Sequence, residues 1–330
     1  MEKQFRFRIY PNKEQEMQIQ KNFGCVRFVY NYYLEKRIYA YQSEKRILST
    51  NECGRDLTAL KKESGYEWLA EADDNSLRYV LRDLDFAYKA FFRSLKQKNQ
   101  STGFPKFKSK RETRQSYKSK NNIVRQSVEV YENKIKLPKL GFVKCRMSRQ
   151  IEGRILSATV IQVPSGKYFV SICCTDAQPK PFTKTNSKVE VHMGIKILVS
   201  LSDGQQFENI RAFEKSRKKM SRLHKKLSRK TKGSRNHEKA RIKLARAHEK
   251  VANQRNDFLH KLTTKLVKEF DVICIRDELI SEKIKSKKHL KYVADVGWGT
   301  LTQQLEYKSN WYGKEILRLD SPEVKPEKSA

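Results

Sequence analysis

The sequence predicts an α+β protein of more than one domain. Its N-terminal part has short strands flanking a helical insertion, and its C-terminal part alternates strands and helices. Three observations carry this expectation. Apolar side chains recur every second residue over 3–9 and again within 127–176. They recur every third or fourth residue over 13–47 and 75–98. Beyond a Pro-containing stretch the order becomes strand hairpin, helices, buried strand, helix, strand. A length of 330 residues suits about two domains.

In the first strand, "KQFRFRI", Phe5, Phe7 and Ile9 share one face, and Pro11-Asn12 then punctuates the chain. Phe23, Val26, Tyr30 and Tyr33 form the stripe of the helix that follows. Asn75 suits the N-cap of a second helix, whose stripe is Leu77, Leu81, Leu84, Tyr88, Phe91 and Phe92. Residues 99–126 are polar. Over 127–176 the segments "SVEVYENKIKLPKL", "GFVKCRM" and "RILSATVIQVPSGKYFVSICC" read as short strands joined by Gly, Pro and Asn turns, a small barrel or curled sheet. "DAQPKPFTKTNSK" (176–188) reads as a linker.

The second part opens with "VEVHMGIK" (189–196). Val189, Val191, Met193 and Ile195 point to a core, His192 faces the other way, and Asp203-Gly204 closes the hairpin. Residues 211–268 are helical and basic, with 17 Lys/Arg against three Glu in 211–250. "KTKGSRN" breaks them into two antiparallel helices, the second with a seam of Ala245, Ala252, Leu259 and Leu266. The buried strand "DVICIRDE", a helix in "WGTLTQQLEYKSNWYG" and a strand "KEILRLD" complete an order of elements expected of an RNase H-like domain. Residues 321–330 read as a disordered tail.

Lys+Arg total 71 and Asp+Glu 37, a formal net charge of +34. Self-repulsion on that scale is best relieved by a polyanion, and phosphate is the expected one. No apolar run is long enough to span a bilayer and the N-terminus lacks a signal-peptide pattern, so no membrane partner is expected and the expected location is cytoplasmic, on the nucleoid. Six cysteines without Cys-x-x-Cys spacing read as small buried hydrophobes.

The stretches "FRFRIYPNKEQ", "FGCVRFVYNYYLEKR", "LRDLDFAYKAFF", "GFPKFKSK", "IKLPKLGFVK", "PSGKYFVSI", "LSRKTKGSRNHEKARIKLARAHEKVANQRNDFLHKL" and "LEYKSNWYG" resemble the transposon-associated TnpB proteins, RNA-guided nucleases related to type V CRISPR effectors. The resemblance runs over about residues 3–320. It implies a wedge β-barrel over 1–180 (strands about 1–10 and 115–176) with a helical recognition insertion at about 12–100. It further implies a RuvC-type nuclease domain over 186–320 with the basic helix pair at 211–268. The partners it implies are a guide RNA encoded near the gene and double-stranded target DNA, with the protein a monomer in the complex.

At the catalytic positions the sequence departs from the family. Where the family reads like "GIDLG", with a metal-binding Asp, this chain has "VHMG", which puts His192 there. Where the family strand ends like "IEDL", this chain has "IRDE", which puts Arg276 at the Glu position. The family's zinc ribbon and third catalytic Asp are not expected here. Two-metal phosphodiester hydrolysis needs clustered carboxylates. Magnesium prefers hard oxygen donors, imidazole is softer, and a guanidinium has no lone pair to give. Asp277 and Glu278 do not restore the geometry, since one lies on the opposite face of the strand and the other is displaced along it. The expectation is therefore a nuclease-dead repressor of the TldR kind (TnpB-like nuclease-dead repressors), with no metal and no cofactor. The alternatives are a divergent endonuclease with weak cleavage and an inactive transposon remnant. His192 could equally fill a core niche, and Arg276 could pair with Glu278 or Asp277.

For nucleic-acid contacts, 103–120 interleaves Phe104, Phe107 and Tyr117 with Lys106, Lys108, Lys110, Arg111, Arg114, Lys118 and Lys120, cations for phosphate and rings for stacking or packing, against the plainer reading of a solvated basic loop. The helix from Asn75 carries Arg78, Tyr79 and Arg82 off its apolar stripe, and the resemblance implies that this insertion lies near the short DNA motif flanking the target. In the basic helix pair, Lys225, Lys226, Arg229 and Arg241 are candidates to track a phosphate backbone.

Overall fold

The chain divides into two compact units, Met1–Gln178 and Pro179–Ala330, and the described residues of the first form seven strands and three α-helices. The computed structural model describes residues 2–96, 102–110, 114–122, 124, 126–276 and 297–319. The expected tail at 321–330 lies outside them. None of the described helices is long and apolar enough to cross a membrane.

In the first unit, β1 (Lys3–Tyr10), β2 (Gln115–Lys120), β3 (Glu129–Val130), β4 (Lys134–Leu137), β5 (Gly141–Arg146), β6 (Arg154–Gln162) and β7 (Tyr168–Thr175) form one antiparallel sheet in the order β2-β6-β7-β1-β5-β4-β3. Strand β1 enters the chain first yet sits centrally, between β7 and β5. Its two-residue alternation sends Phe5, Phe7 and Ile9 into the core. Helix α1 (Lys13–Glu44) starts at a capping box in which the Asn12 side chain accepts from the Gln15 amide and Gln15 reaches back to the Asn12 amide. The Gln15 side-chain amide also donates to the Leu140 and Phe142 carbonyls, which fixes the helix start against the sheet. A second capping box, Ser49 with Glu52, opens α2 (Thr50–Leu60). A short 3₁₀ turn (Glu67–Glu71) leads to α3 (Asp74–Lys96).

Two expectations for α3 need correction. The cap is Asp73, whose carboxylate accepts from the Ser76 amide at 3.1 Å, and Asn75 is inside the helix. The buried stripe ends at Leu84, while Phe92 is exposed. That stripe meets α1, whose buried face includes Phe23, Val26, Tyr30 and Tyr33, as the spacing predicted.

In the second unit, β8 (Lys188–Met193), β9 (Ile197–Leu201), β10 (Gln206–Glu208), β11 (Val272–Arg276) and β12 (Glu315–Leu319) form a mixed sheet ordered β10-β9-β8-β11-β12. The first three are antiparallel, and β11 lies parallel to both β8 and β12. Asp203-Gly204 turns β9 into β10. The β8–β9 turn is at Gly194 instead, where an added Cβ would stand 2.4 Å from the Ile197 carbonyl oxygen, so only glycine fits.

Helices α4 (Ala212–Ser228) and α5 (Arg235–Glu269) are the basic pair, and α6 (Trp298–Tyr312) packs on α5. The α5 seam is Leu244, Val251, Leu259, Leu262 and Leu266. It lies one residue before the expected Ala245 and Ala252, because a straight helix drifts against a strict seven-residue repeat. The expected linker at 176–188 is fastened to the second unit over part of its length. Phe182 stacks on Tyr312 at 4.0 Å, and the Asp271 carboxylate accepts from the Thr185 and Asn186 amides at 2.9 and 2.8 Å. Asp271 is also paired with the Lys314 ammonium, which donates to the Thr183 carbonyl at 2.9 Å.

Candidate nucleic-acid interface

The polar faces of α2 and α3 build a basic recess in the first unit. On α2 the buried residues Cys53, Leu57 and Leu60 leave Asn51, Arg55 and Thr58, at steps of four and three, on another side. On α3 the stripe Leu77, Leu81 and Leu84 leaves Asn75, Arg78, Tyr79 and Arg82. These two polar rows line a cavity of about 900 Å³ with Lys120. The structure therefore brings together the three candidates Arg78, Tyr79 and Arg82. It joins to them Lys120, one of the cations expected over 103–120, and adds Arg55, which sequence reasoning missed although the i, i+4 spacing of Asn51 and Arg55 carries a signal. Arg78 donates to Asp74 at 2.8 Å, and Asp74 also holds Lys61. Those two cations draw the Asp74 carboxyl below its usual range against the opposing effect of burial. Lys118 joins the recess from the side, its ammonium 4.8 Å from the Tyr79 ring centre, with the Arg82 guanidinium 5.8 Å from the same ring.

Tyr117 does not belong to this surface. Strand β2 alternates, so Tyr117 and Ser119 turn inward while Lys118 turns away. Tyr117 is only 4 % exposed and packs edge-on against Phe23 at 5.7 Å. Burial pushes its hydroxyl well above the usual phenol range. The expectation of a base-stacking Tyr117 is corrected to a core residue.

Lys106, Lys108 and Lys110 lie on an irregular segment, and Arg111 lies outside the described residues. The Asn31 side chain clamps this segment. Its carbonyl accepts from the Lys108 amide at 2.8 Å and its NH₂ donates to the Lys108 carbonyl at 2.9 Å. The Lys108 ammonium sits 4.0 Å from the Tyr30 ring centre, which places it against α1, while Lys106 and Lys110 are exposed.

In the helix pair, Lys226 and Arg229 line a cavity of about 520 Å³ with Leu223, Lys230, Asn236, Lys239, Ala240 and Lys243. Five cations converge there. Lys225 is exposed beside it, and Arg241 is held in a two-bond pair with Glu238 at 2.8 and 2.6 Å. Arg241 is thereby partly neutralised.

In the sheet of the second unit, His192 lies on the open face of β8, its side chain 43 % exposed and 3.9 Å from the Glu190 carboxylate. It fills no core niche. Strands β8 and β11 pair in parallel through Val191 and Ile275. One step further, the same offset sets position 276 level with His192. For Asp277 and Glu278 the expectation lies outside the described residues.

Residues 171–285 match the protein family described as "Probable transposase" of the IS605 OrfB type, and residues 1–46 match its helix-turn-helix domain. A Streptomyces pristinaespiralis protein described as "Putative RNA-guided DNA endonuclease" is 33 % identical over 96 % of this chain and 77 % of its own length. The chain belongs to this family. An Escherichia coli K12 member of the TnpB/OrfB group, with the same description and the name InsQ, is 32 % identical over 95 % of this chain and 79 % of its own. Among solved structures, the fold is similar to that in a Cas12f1–sgRNA–target DNA complex, with a TM-score of 0.54 at 11 % identity, over 97 % of this chain and 89 % of the other. This family member thus shares a mixed α/β multidomain fold with Cas12f1.

Proposed function

We propose that this TnpB-family chain is an RNA-guided DNA-binding protein that does not cut, and that it represses transcription by occupying a guide-matched promoter beside a short flanking motif. In this reading the seven-stranded sheet is the wedge barrel and the five-stranded sheet the RuvC-type domain. The guide supplies sequence specificity by base pairing, and the protein reads duplex shape and the flanking motif. The observation that carries it is the pair of positions 192 and 276, level on adjacent parallel strands and occupied by an imidazole and a guanidinium residue.

That donor set does not fit the family's divalent ions. Among the described residues, the carboxylate given beside His192 on the open face of β8 is that of Glu190, and Arg276 brings a permanent positive charge and no lone pair. The duplex-reading role falls to the recess of Arg55, Arg78, Tyr79, Arg82 and Lys120, where planar guanidiniums can address phosphates or guanine edges.

A second reading, an endonuclease with weak cleavage, is favoured by the descriptions of the relatives. One experiment separates the two. RNA that co-purifies with the protein is sequenced, a matching duplex is built, and the complex is incubated with Mg²⁺ or Mn²⁺. Binding without specific nicking supports the repressor, and guide-dependent nicking that disappears on replacing Asp277 or Glu278 sinks it.

A further inference from the structure

Inside the first unit is a second recess of different chemistry. A cavity of about 540 Å³ is lined by Gly24, Arg27, Phe28, Asn31, Tyr32, Glu35, Trp68 and Phe107. Phe28 is at its centre, with its ring 5.1 Å from that of Trp68, 5.7 Å from Tyr32 and 5.8 Å from Tyr66. These rings are held in place. The Trp68 indole N–H donates to the Gly65 carbonyl at 3.0 Å, and Phe107 precedes the Lys108 backbone that Asn31 clamps on both sides. Trp68 is 38 % and Phe107 55 % exposed, and the Phe107 ring has no aromatic partner among the described residues.

The floor gives an independent sign that the space is for an occupant. Gly24 is well inside the 32-residue helix α1, where glycine costs about 1 kcal/mol relative to alanine. A Cβ built there meets nothing within 4 Å. Packing within the fold therefore does not require glycine at this position, and what glycine leaves is room.

The charges name the occupant. Arg27 and Glu35 line the cavity, and neither pairs with another side chain among the described residues. Lys106 and Lys110 flank the segment that presents Phe107. An apolar peptide would need no such cations, whereas a polynucleotide strand offers a flat apolar base for the rings and a phosphate for Arg27. Glu35 repels phosphate, so the backbone passes on the Arg27 side with the base turned inward.

The geometry points to a stacking site in which Phe28, Tyr32, Trp68 and Phe107 hold one unpaired base of a bound RNA or DNA strand, with Arg27 on the adjoining phosphate. This rests on the chain being a nucleic-acid binder, and not on whether it cuts. Stacking of this kind tolerates any base, because every base has a π face.

The test uses the full chain freed of nucleic acid and its intrinsic tryptophan emission. The probes are RNA and DNA single strands of about twelve nucleotides, within the length such sites cover, and a blunt duplex of the same sequence. A single strand should quench emission saturably, the duplex should not, and Trp68→Phe should remove the quench. The RNA and DNA arms tell which strand supplies the base. Gly24→Leu should fill the cavity, lower single-strand affinity about tenfold or more, and abolish the quench, while melting no lower than the wild type. Arg27→Ala should weaken binding and reduce its salt dependence by about one unit of slope. Strand binding with no Trp68 signal, or with affinity untouched by Gly24→Leu, overturns the stacking site and leaves the proposed function standing. Failure to bind any RNA or DNA overturns both.

Discussion

Val191 and Ile275 face each other in register across the parallel junction of β8 and β11, and the same offset sets His192 level with Arg276. Two residues 84 positions apart in sequence thus reach neighbouring places at the C-terminal edge of two strands. If duplex DNA passes over that edge, a guanidinium there supplies charge that metal ions supply in a nuclease. Arg276→Ala should lower affinity for guide-matched duplex by about 1–2 kcal/mol and leave guide-RNA affinity unchanged. A loss of thermal stability with unchanged DNA affinity per folded molecule would refute the contact.

The α2–α3 recess should read duplex DNA. Arg82→Ala and Arg55→Ala should each weaken binding to a duplex carrying the flanking motif by about 1–2 kcal/mol. Arg78→Ala should cost less, because Arg78 already donates to Asp74. Competition between duplexes that differ only in the flanking motif checks this. Equal losses on all duplexes would assign the arginines to phosphates alone.

The cavity between α4 and α5 should carry phosphate. Replacing Lys226, Lys230, Lys239 and Lys243 together by Gln should reduce the slope of log affinity against log salt by about three units, at ~0.7–0.9 per contact. Arg241→Gln should change it little, since Glu238 holds that guanidinium. Similar slopes in both variants would make the cavity an ordinary solvated face.

Lys308 gives a stability prediction. It is 6 % exposed, has no carboxylate partner among the described residues, and donates at 2.7 Å to the His260 carbonyl and to the Thr263 and Thr264 hydroxyls. Burial pushes its pKa down to about 8. The unfolded chain then binds more protons between about pH 8 and the ordinary lysine value, so the Lys308 contribution makes stability rise with pH across that window. The cost of burying the cation is fully present below it. Lys308→Met should raise stability at pH 7 by about 1–3 kcal/mol and flatten the rise, because Thr263 and Thr264 keep their bonds to the Leu259 and His260 carbonyls. Melting curves of both proteins at pH 7 and pH 10 decide it. A variant less stable at both values would mean that the ammonium's hydrogen bonds outweigh its desolvation.

Much of this was legible in sequence, wherever one period dominates a segment. The alternation of Phe5, Phe7 and Ile9, the stripe from Phe23 to Tyr33, and the inward set Val189, Val191 and Met193 all lie where their spacing put them. Tyr117 was misjudged because β2 has only two inward positions in a polar stretch, too few to outweigh its cationic neighbours. The seam of α5 slipped by one residue because two alanines mimic a heptad that Leu244 and Val251 fill. The partnership of Arg55 and Lys120 with Arg78 was not legible because they are distant from it in sequence and meet it only through tertiary packing. Asp271 gave no signal either, because its partners Thr185, Asn186 and Lys314 come from two remote segments.

The Asp271 clasp decides where this chain can be divided. A fragment of the second unit that starts at β8 would discard Thr183, Thr185 and Asn186, stripping the carboxylate of two amide donors and the Lys314 ammonium of a carbonyl. Hydrogen bonds with the Lys314 ammonium and with those amides are what hold the Asp271 carboxyl down at about 2, and a truncated unit should lose part of that depression and sour more easily in acid. Dissection, tagging and split-reporter junctions therefore belong at 178, before the strap begins, and an insertion between 183 and 187 would unbuckle the sheet from its own leading edge.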